Sequence, residues 1–153
     1  MLTCCTATRN NQLSVSKKDA ENILSYAREL QGVKYRYGGK TPETGFDCSG
    51  FISYIYKKAA GITLSPASAM QAKTGRAVSL KKVRPGDLMF FKGRNTRSKK
   101  VGHVALVTAI KSGKISIIHA STGKGVHEEI YNASTYWKAR FLFARRVAIV
   151  EKK

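Results

Sequence analysis

Apolar positions recur at helical spacing in the first half of the chain and in alternation or short runs in the second, so helices precede strands. Ala20, Ile23, Leu24, Ala27 and Leu30 follow the three-and-four spacing that lines one face of a helix. Ser16 with Asp19 resembles a capping box ahead of them, and Gly32 ends the run. A glycine-rich loop follows, from Tyr35 through Gly38-Gly39 to Gly45. A second helix begins near Cys48, with Phe51, Ile52, Ile55, Tyr56 and Ala59 on its apolar side. Gly61 stands just past its end, where a left-handed cap is wanted. Ser65-Pro66 predicts the N-cap and first turn of a short third helix reaching Thr74, closed by Gly75.

From Arg84 onward the pattern changes. Arg84-Pro85-Gly86-Asp87 reads as a turn and Leu88-Met89-Phe90-Phe91 as a short buried strand. Val101 to Ile110 and Lys114 to Ala120 form two further strands, joined by a three-residue loop of Lys111-Ser112-Gly113 with glycine in the left-handed position. Val126 to Tyr131 and Phe141 to Val150 complete the set. Helices first and strands afterwards imply an α+β fold, N-terminal helices packed on an antiparallel sheet of about five or six strands. Residues 16–150 read as one domain, preceded by a polar tail over 1–15 and followed by a basic tail over 151–153. No apolar run approaches the ~18 residues of a membrane helix.

Cys48 falls where the glycine-bearing loop meets a helix, in Gly45-Phe46-Asp47-Cys48-Ser49-Gly50. The unpaired N–H groups and partial positive charge of a helix start favour thiolate, so this position predicts a cysteine pKa below its free value. The same N–H groups can hold an oxyanion. A nucleophilic cysteine wants an imidazole and something to hold it. Strand alternation puts His103 on one face with Ala105 and Val107, and the three-residue loop sets His119 opposite Ala105. The two rings are then diagonal neighbours, roughly 7 Å apart at Cα, as base and orienter. A one-residue slip would put them on opposite faces. Two unrelated histidines on a hairpin fit the same residues, and so does a zinc site of Cys48, His103 and His119, which lacks the close-spaced ligand pairs of structural zinc. His127, beside Glu128 and Glu129, reads as a solvated strand residue.

Charge narrows the partners. The 28 Lys+Arg against 9 Asp+Glu give +19, a field that draws polyanions such as nucleic acid, anionic lipid or acidic wall polymer. No zinc-finger spacing, RNP-like strand or long basic helix is present, which argues against nucleic acid. Three cysteines, two of them adjacent, make no disulfide framework. Leu2-Thr3-Cys4-Cys5 looks like the end of a bacterial lipoprotein signal, which would put a lipid anchor at Cys4 or Cys5.

Four segments together resemble a known family. Tyr35-Arg36-Tyr37-Gly38-Gly39 with Gly45-Phe46-Asp47-Cys48-Ser49-Gly50-Phe51 is similar to the nucleophile segment of the NlpC-type cell-wall endopeptidases. Arg84 to Phe91 resembles their Pro-Gly-Asp-Leu strand, Gly102 to Val107 their histidine strand, and Ile117 to Ser121 the strand supplying the third residue. The four occur in order over about Ala20 to Val147.

The resemblance implies a papain-like cysteine peptidase, monomeric and cofactor-free, outside the cytoplasm of a bacterium. It implies cleavage of the γ-D-glutamyl bond to the diamino acid of peptidoglycan stem peptides, with Cys48, His103 and His119 as its catalytic set. Tyr35 would help form the oxyanion site, and Asp47, Ser49 and Ser68 the substrate pocket. Pro66 and Ala67 depart from the pattern, which often has Arg and an acidic or hydroxyl residue ahead of that serine. The basic loop Lys92, Arg94, Arg97, Lys99 and Lys100 runs into the His103 strand and suits an anionic wall polymer. A non-catalytic wall-binding module of the same fold and a basic nucleic-acid-binding protein are the rival readings.

Overall fold

The computed structural model describes residues 12–150. Cys4, Cys5 and the tail 151–153 lie outside the described residues. Strand β1 (Gln12–Ser14) pairs antiparallel with β10 (Ala148–Val150), so the end of the stretch expected to be a tail is paired backbone. Helix α1 (Lys17–Glu29) starts at the expected cap, where Ser16 Oγ accepts from the Asp19 N–H at 3.0 Å. Strands β2 (Lys40–Thr41) and β3 (Gly45–Phe46) close the glycine loop. Helix α2 (Cys48–Ala60) ends at Gly61, whose φ of 67° is the left-handed cap the sequence predicts. The third helix, α3, covers only Ser68–Gln71. Ser65 Oγ accepts from Ala67 N–H at 3.3 Å in a turn of its own, and the Thr74 hydroxyl donates to the Gln71 carbonyl at 2.6 Å, so neither end extends.

The main sheet has six antiparallel strands in the order β4-β9-β5-β6-β7-β8. They are β4 (Arg76–Val78), β5 (Leu88–Lys92), β6 (Val101–Lys111), β7 (Lys114–Ser121), β8 (Gly125–Ile130) and β9 (Phe141–Arg146). Edge strand β4 is three residues long, too short to show an alternation. The run expected as one strand from Phe141 to Val150 divides at Val147. That side chain is buried in the core, and its carbonyl accepts from the Val15 N–H at 3.1 Å, which turns the chain off the sheet.

One face of the sheet lies under α1 and α2, and its Leu88, Phe90, Val104, Leu106, Ile118, Ala120 and Val126 are all buried. The other presents Met89, Phe91, Ala105, Val107 and Ile117 to Tyr131 and Trp137. Trp137 belongs to α4 (Thr135–Arg140), which the sequence reading missed because six residues carry no helical period. Its cap was visible, since Ser134 Oγ accepts from the Trp137 N–H at 3.1 Å.

The β6–β7 hairpin corrects one expectation and keeps its consequence. The turn has two residues, Ser112 and Gly113, at φ 50° and 75°, and Lys111 pairs with Lys114. Positive φ at both central residues gives the twist that suits a tight hairpin. The ladder then shifts between Val107 and Ala109, so that Val107 faces Ile117 and Leu106 faces Ile118. The residue expected in the loop sits instead at Thr108, whose Oγ1 donates to Glu128 Oε1 at 2.6 Å. Beyond the bulge the register is the one that brings the two histidines together. Among the described residues no helix is long and apolar enough to cross a membrane.

Candidate active site

Cys48 is the first residue of α2, and the loop before it is packed to hold it there. Asp47 is the N-cap, with Oδ1 accepting from the Gly50 N–H at 2.7 Å, while its own N–H donates to the Gly39 carbonyl at 3.1 Å. A Cβ on Gly39 would strike the Gly45 carbonyl, and one on Gly50 would strike the Gly39 carbonyl. Only glycine at both positions lets the loop lie directly on the first helical turn.

The sulfur is largely buried, and burial pushes the Cys48 thiol up, aided by the Asp47 carboxylate. The N–H groups of Val104, Ser49 and Cys48 itself pull the other way and do not overcome it. The helix start therefore does not yield the lowered pKa expected of it, because desolvation outweighs the hydrogen bonds of the surrounding N–H groups. The Tyr35 hydroxyl is also pushed up, first by burial and then by Cys48 and Asp47.

Strand alternation and the bulged register set a row of polar groups across β6, β7 and β8. His103 Nε2 lies 2.7 Å from His119 Nδ1, and His119 Nε2 lies 2.8 Å from Glu129 Oε2. His127, paired with His119 across β7 and β8, brings its Nε2 to 2.6 Å from the same oxygen. The His119 side chain is fully buried. Burial pushes His103 well below the usual imidazole range and His119 in the same direction, with Glu129 opposing both. The hydrogen bond from His119, chiefly, with that from His127 holds the Glu129 carboxyl down at about 2. Trp137 stacks on His103 with centroids 4.5 Å apart and planes at 20°.

Tyr35, Cys48, His103, His127, Glu129 and Trp137 line one cleft of about 670 Å³. Lys92, Arg94 and Lys124 add positive charge to its wall. His119 is behind this wall, bonded to two residues that line it, His103 and Glu129. Asp47, Ser49 and Ser68 are not on it: Asp47 serves the helix cap, and Ser49 is buried with its carbonyl accepting from Gln71 Nε2 at 2.9 Å. Ser68 opens α3. His127 is no solvated strand residue, and Glu129 and Trp137 complete a row the sequence reading did not include. The signal for the first two was present, since period-two alternation over Gly125–Ile130 puts His127 and Glu129 on one face. His119, His127 and Glu129 also have donor atoms within 4.8 Å of one another, a set able to hold a cation. Their mutual hydrogen bonds already satisfy these atoms, so an ion would have to displace two ring protons.

Residues 32–146 match the family model described as the NlpC/P60 family. The chain belongs to that family. The chain is 36% identical over 137 residues to a protein of Bacillus subtilis named gamma-DL-glutamyl hydrolase, covering 90% of this chain and 32% of that one. It is 36% identical over 125 residues to the Escherichia coli protein named murein DD-endopeptidase MepS/murein LD-carboxypeptidase, covering 82% and 61%. It thus spans less than two thirds of either relative. A solved NLP/P60-family structure from Staphylococcus aureus, described as similar to lipoprotein, superposes with a TM-score of 0.75 at 30% identity, over 94% of this chain and 46% of that one. NlpC/P60 domains are papain-like, and this NlpC/P60 chain has the helix-on-sheet arrangement expected of that fold.

Proposed function

We propose that this chain is a peptidoglycan hydrolase, a cysteine endopeptidase cleaving wall stem peptides through a thioester. The observation that carries the reading is a helix-start cysteine sharing a cleft with His103, whose Nε2 is held at 2.7 Å by a buried second ring. That contact leaves His103 Nδ1 for Cys48. Burial keeps both members of the resting pair neutral, so the proton leaves Sγ for His103 as the sulfur attacks the scissile carbonyl. The oxyanion that forms is met by the Cys48 N–H and the Tyr35 hydroxyl. Collapse breaks the C–N bond, His103 returns its proton to the leaving amine, and a thioester remains. His103 then takes a proton from water, whose hydroxide attacks the thioester carbonyl; the C–S bond breaks, the acid is freed, and the proton passes from His103 to the departing sulfur to restore the neutral pair.

The bond we assign is the γ-D-glutamyl link to the diamino acid, in accord with the DL-glutamyl name of one relative rather than the DD name of another. The substrate places the enzyme outside the cytoplasm, and the Lys92, Arg94 and Lys124 wall suits its carboxylates. Mass spectrometry of digested sacculi tests this. Wild type should release fragments cut after γ-D-glutamate, Cys48→Ala and His103→Ala less than about 1% as much, and His119→Gln an intermediate amount. Cutting only at cross-links would refute the bond assignment. Sacculus binding without release of fragments would mark a wall-binding module instead.

A further inference from the structure

The polar row continues past the second histidine, and its end has a chemical consequence for its beginning. We propose that Glu129 is a positioning residue, fixing the tautomer of His119 and through it the nitrogen that His103 offers to Cys48. This rests on the catalytic reading above.

An ionised carboxylate only accepts, so each ring nitrogen bonded to Glu129 Oε2 must carry its proton. His119 Nε2, at 2.8 Å, is therefore the protonated nitrogen of that ring. A neutral ring carries one proton, which leaves His119 Nδ1 as a lone pair aimed at His103 Nε2, 2.7 Å away. His103 Nε2 must then be the donor, and His103 Nδ1 is the free base. The opposite tautomer of His119 would aim an N–H at His103 Nε2 and make that nitrogen the acceptor. His103 Nδ1 would then carry the proton and could not take one from sulfur. With the carboxylate in place that state is disfavoured, because it sets the Nε2 lone pair of a fully buried ring against Glu129. His127 is the second hold: its Nε2 donates to the same oxygen at 2.6 Å.

The charge acts as well as the bond. Glu129 favours the protonated form of both His103 and His119, against burial and against the neighbouring rings. Removing it should make His103 harder to protonate, so the acid limb of kcat/KM should move to lower pH. Lys124 also faces His119, favouring its neutral form, and stays in place in the variant.

The test is Glu129→Gln, read by imidazole nitrogen NMR and by kinetics on a soluble stem peptide. Wild type should show one His119 tautomer, protonated at Nε2. The variant should show a second population protonated at Nδ1, a kcat lower by about tenfold with KM little changed, and an acid limb displaced to lower pH. In the serine-protease template the corresponding amide costs ~10⁴, but there the carboxylate touches the base itself. Glu129→Asp keeps the charge and should hold the limb near its wild-type position. An unchanged tautomer with an unmoved acid limb would overturn the proposal, including where the melting temperature falls, since that marks a strand-tying role only. The NMR readout needs no turnover, so a wild type that fails to cleave would sink the catalytic reading without deciding this one.

Discussion

The two faces of the sheet are built from the same strands by the same alternation, yet they are covered differently. On the face under α1 and α2, Val104, Leu106, Ile118 and Ala120 are wholly buried and carry no polar side-chain atom. On the other, one residue along each strand, His103, His119, His127 and Glu129 stand in a row beneath a single half-buried tryptophan. Even Glu128 and Glu129 divide this way. Glu128 accepts from the Thr108 hydroxyl, from Arg28 of α1 at 3.4 Å and from Gln31 just past its end at 3.2 Å, while Glu129 accepts from two imidazoles. One face holds the domain together and the other holds protons in place.

That division can be broken from either side. Leu106→Ala removes a fully buried side chain from the helix-covered face and should cost about 3 kcal/mol in denaturant unfolding. The kcat of the molecules that remain folded should be unchanged; a matching fall in kcat would show that the faces are not independent. Trp137→Ala removes the ring stacked on His103 and should have the complementary result. It should cost about 2 kcal/mol of stability, less than a core deletion because the ring is half-exposed. It should lower kcat/KM by about tenfold, as the base loses its lid and gains water.

The smallest effect belongs to neither face. Arg97, Lys99 and Lys100 are exposed in the loop before β6, whereas Arg94 of the same loop and Lys92 at the end of β5 line the cleft. The five charges therefore do not act alike. Changing Arg97, Lys99 and Lys100 to Ser should weaken sacculus binding about threefold at low salt, with the difference gone at high salt, because exposed charges are screened beyond ~8 Å at physiological ionic strength. Saturated turnover of a small peptide should not move. A salt-independent loss would place these three in direct contact with substrate.

The helix-covered face was legible in the sequence almost residue by residue, because burial imposes a period and Ser16 and Gly61 mark where the helices begin and end. The pair His103 and His119 was legible because the expected three-residue turn sets the same register that the two-residue turn and the bulge at Thr108 set together. What escaped were features without a period. Helix α4 has six residues, so Trp137 could not be placed over His103. Glu129 was hidden by its neighbour: two adjacent acids beside a histidine suggest solvated charge, and although alternation parts them to opposite faces, only pairing to β7 brings Glu129 to His119. The lowered cysteine pKa failed because a helix start can be read from sequence while the depth of its burial cannot.

The bulge at Thr108 gives the hairpin a slip joint. Both histidines that meet at 2.7 Å lie on the sheet side of it, and the Ser112-Gly113 tip lies on the other. A residue gained or lost between them alters the slack in that joint, while the ladder from Val107 and Ile117 inward keeps its phase. The tip of this hairpin is therefore a site where length is nearly free to drift, in a strand pair whose far end tolerates no shift at all.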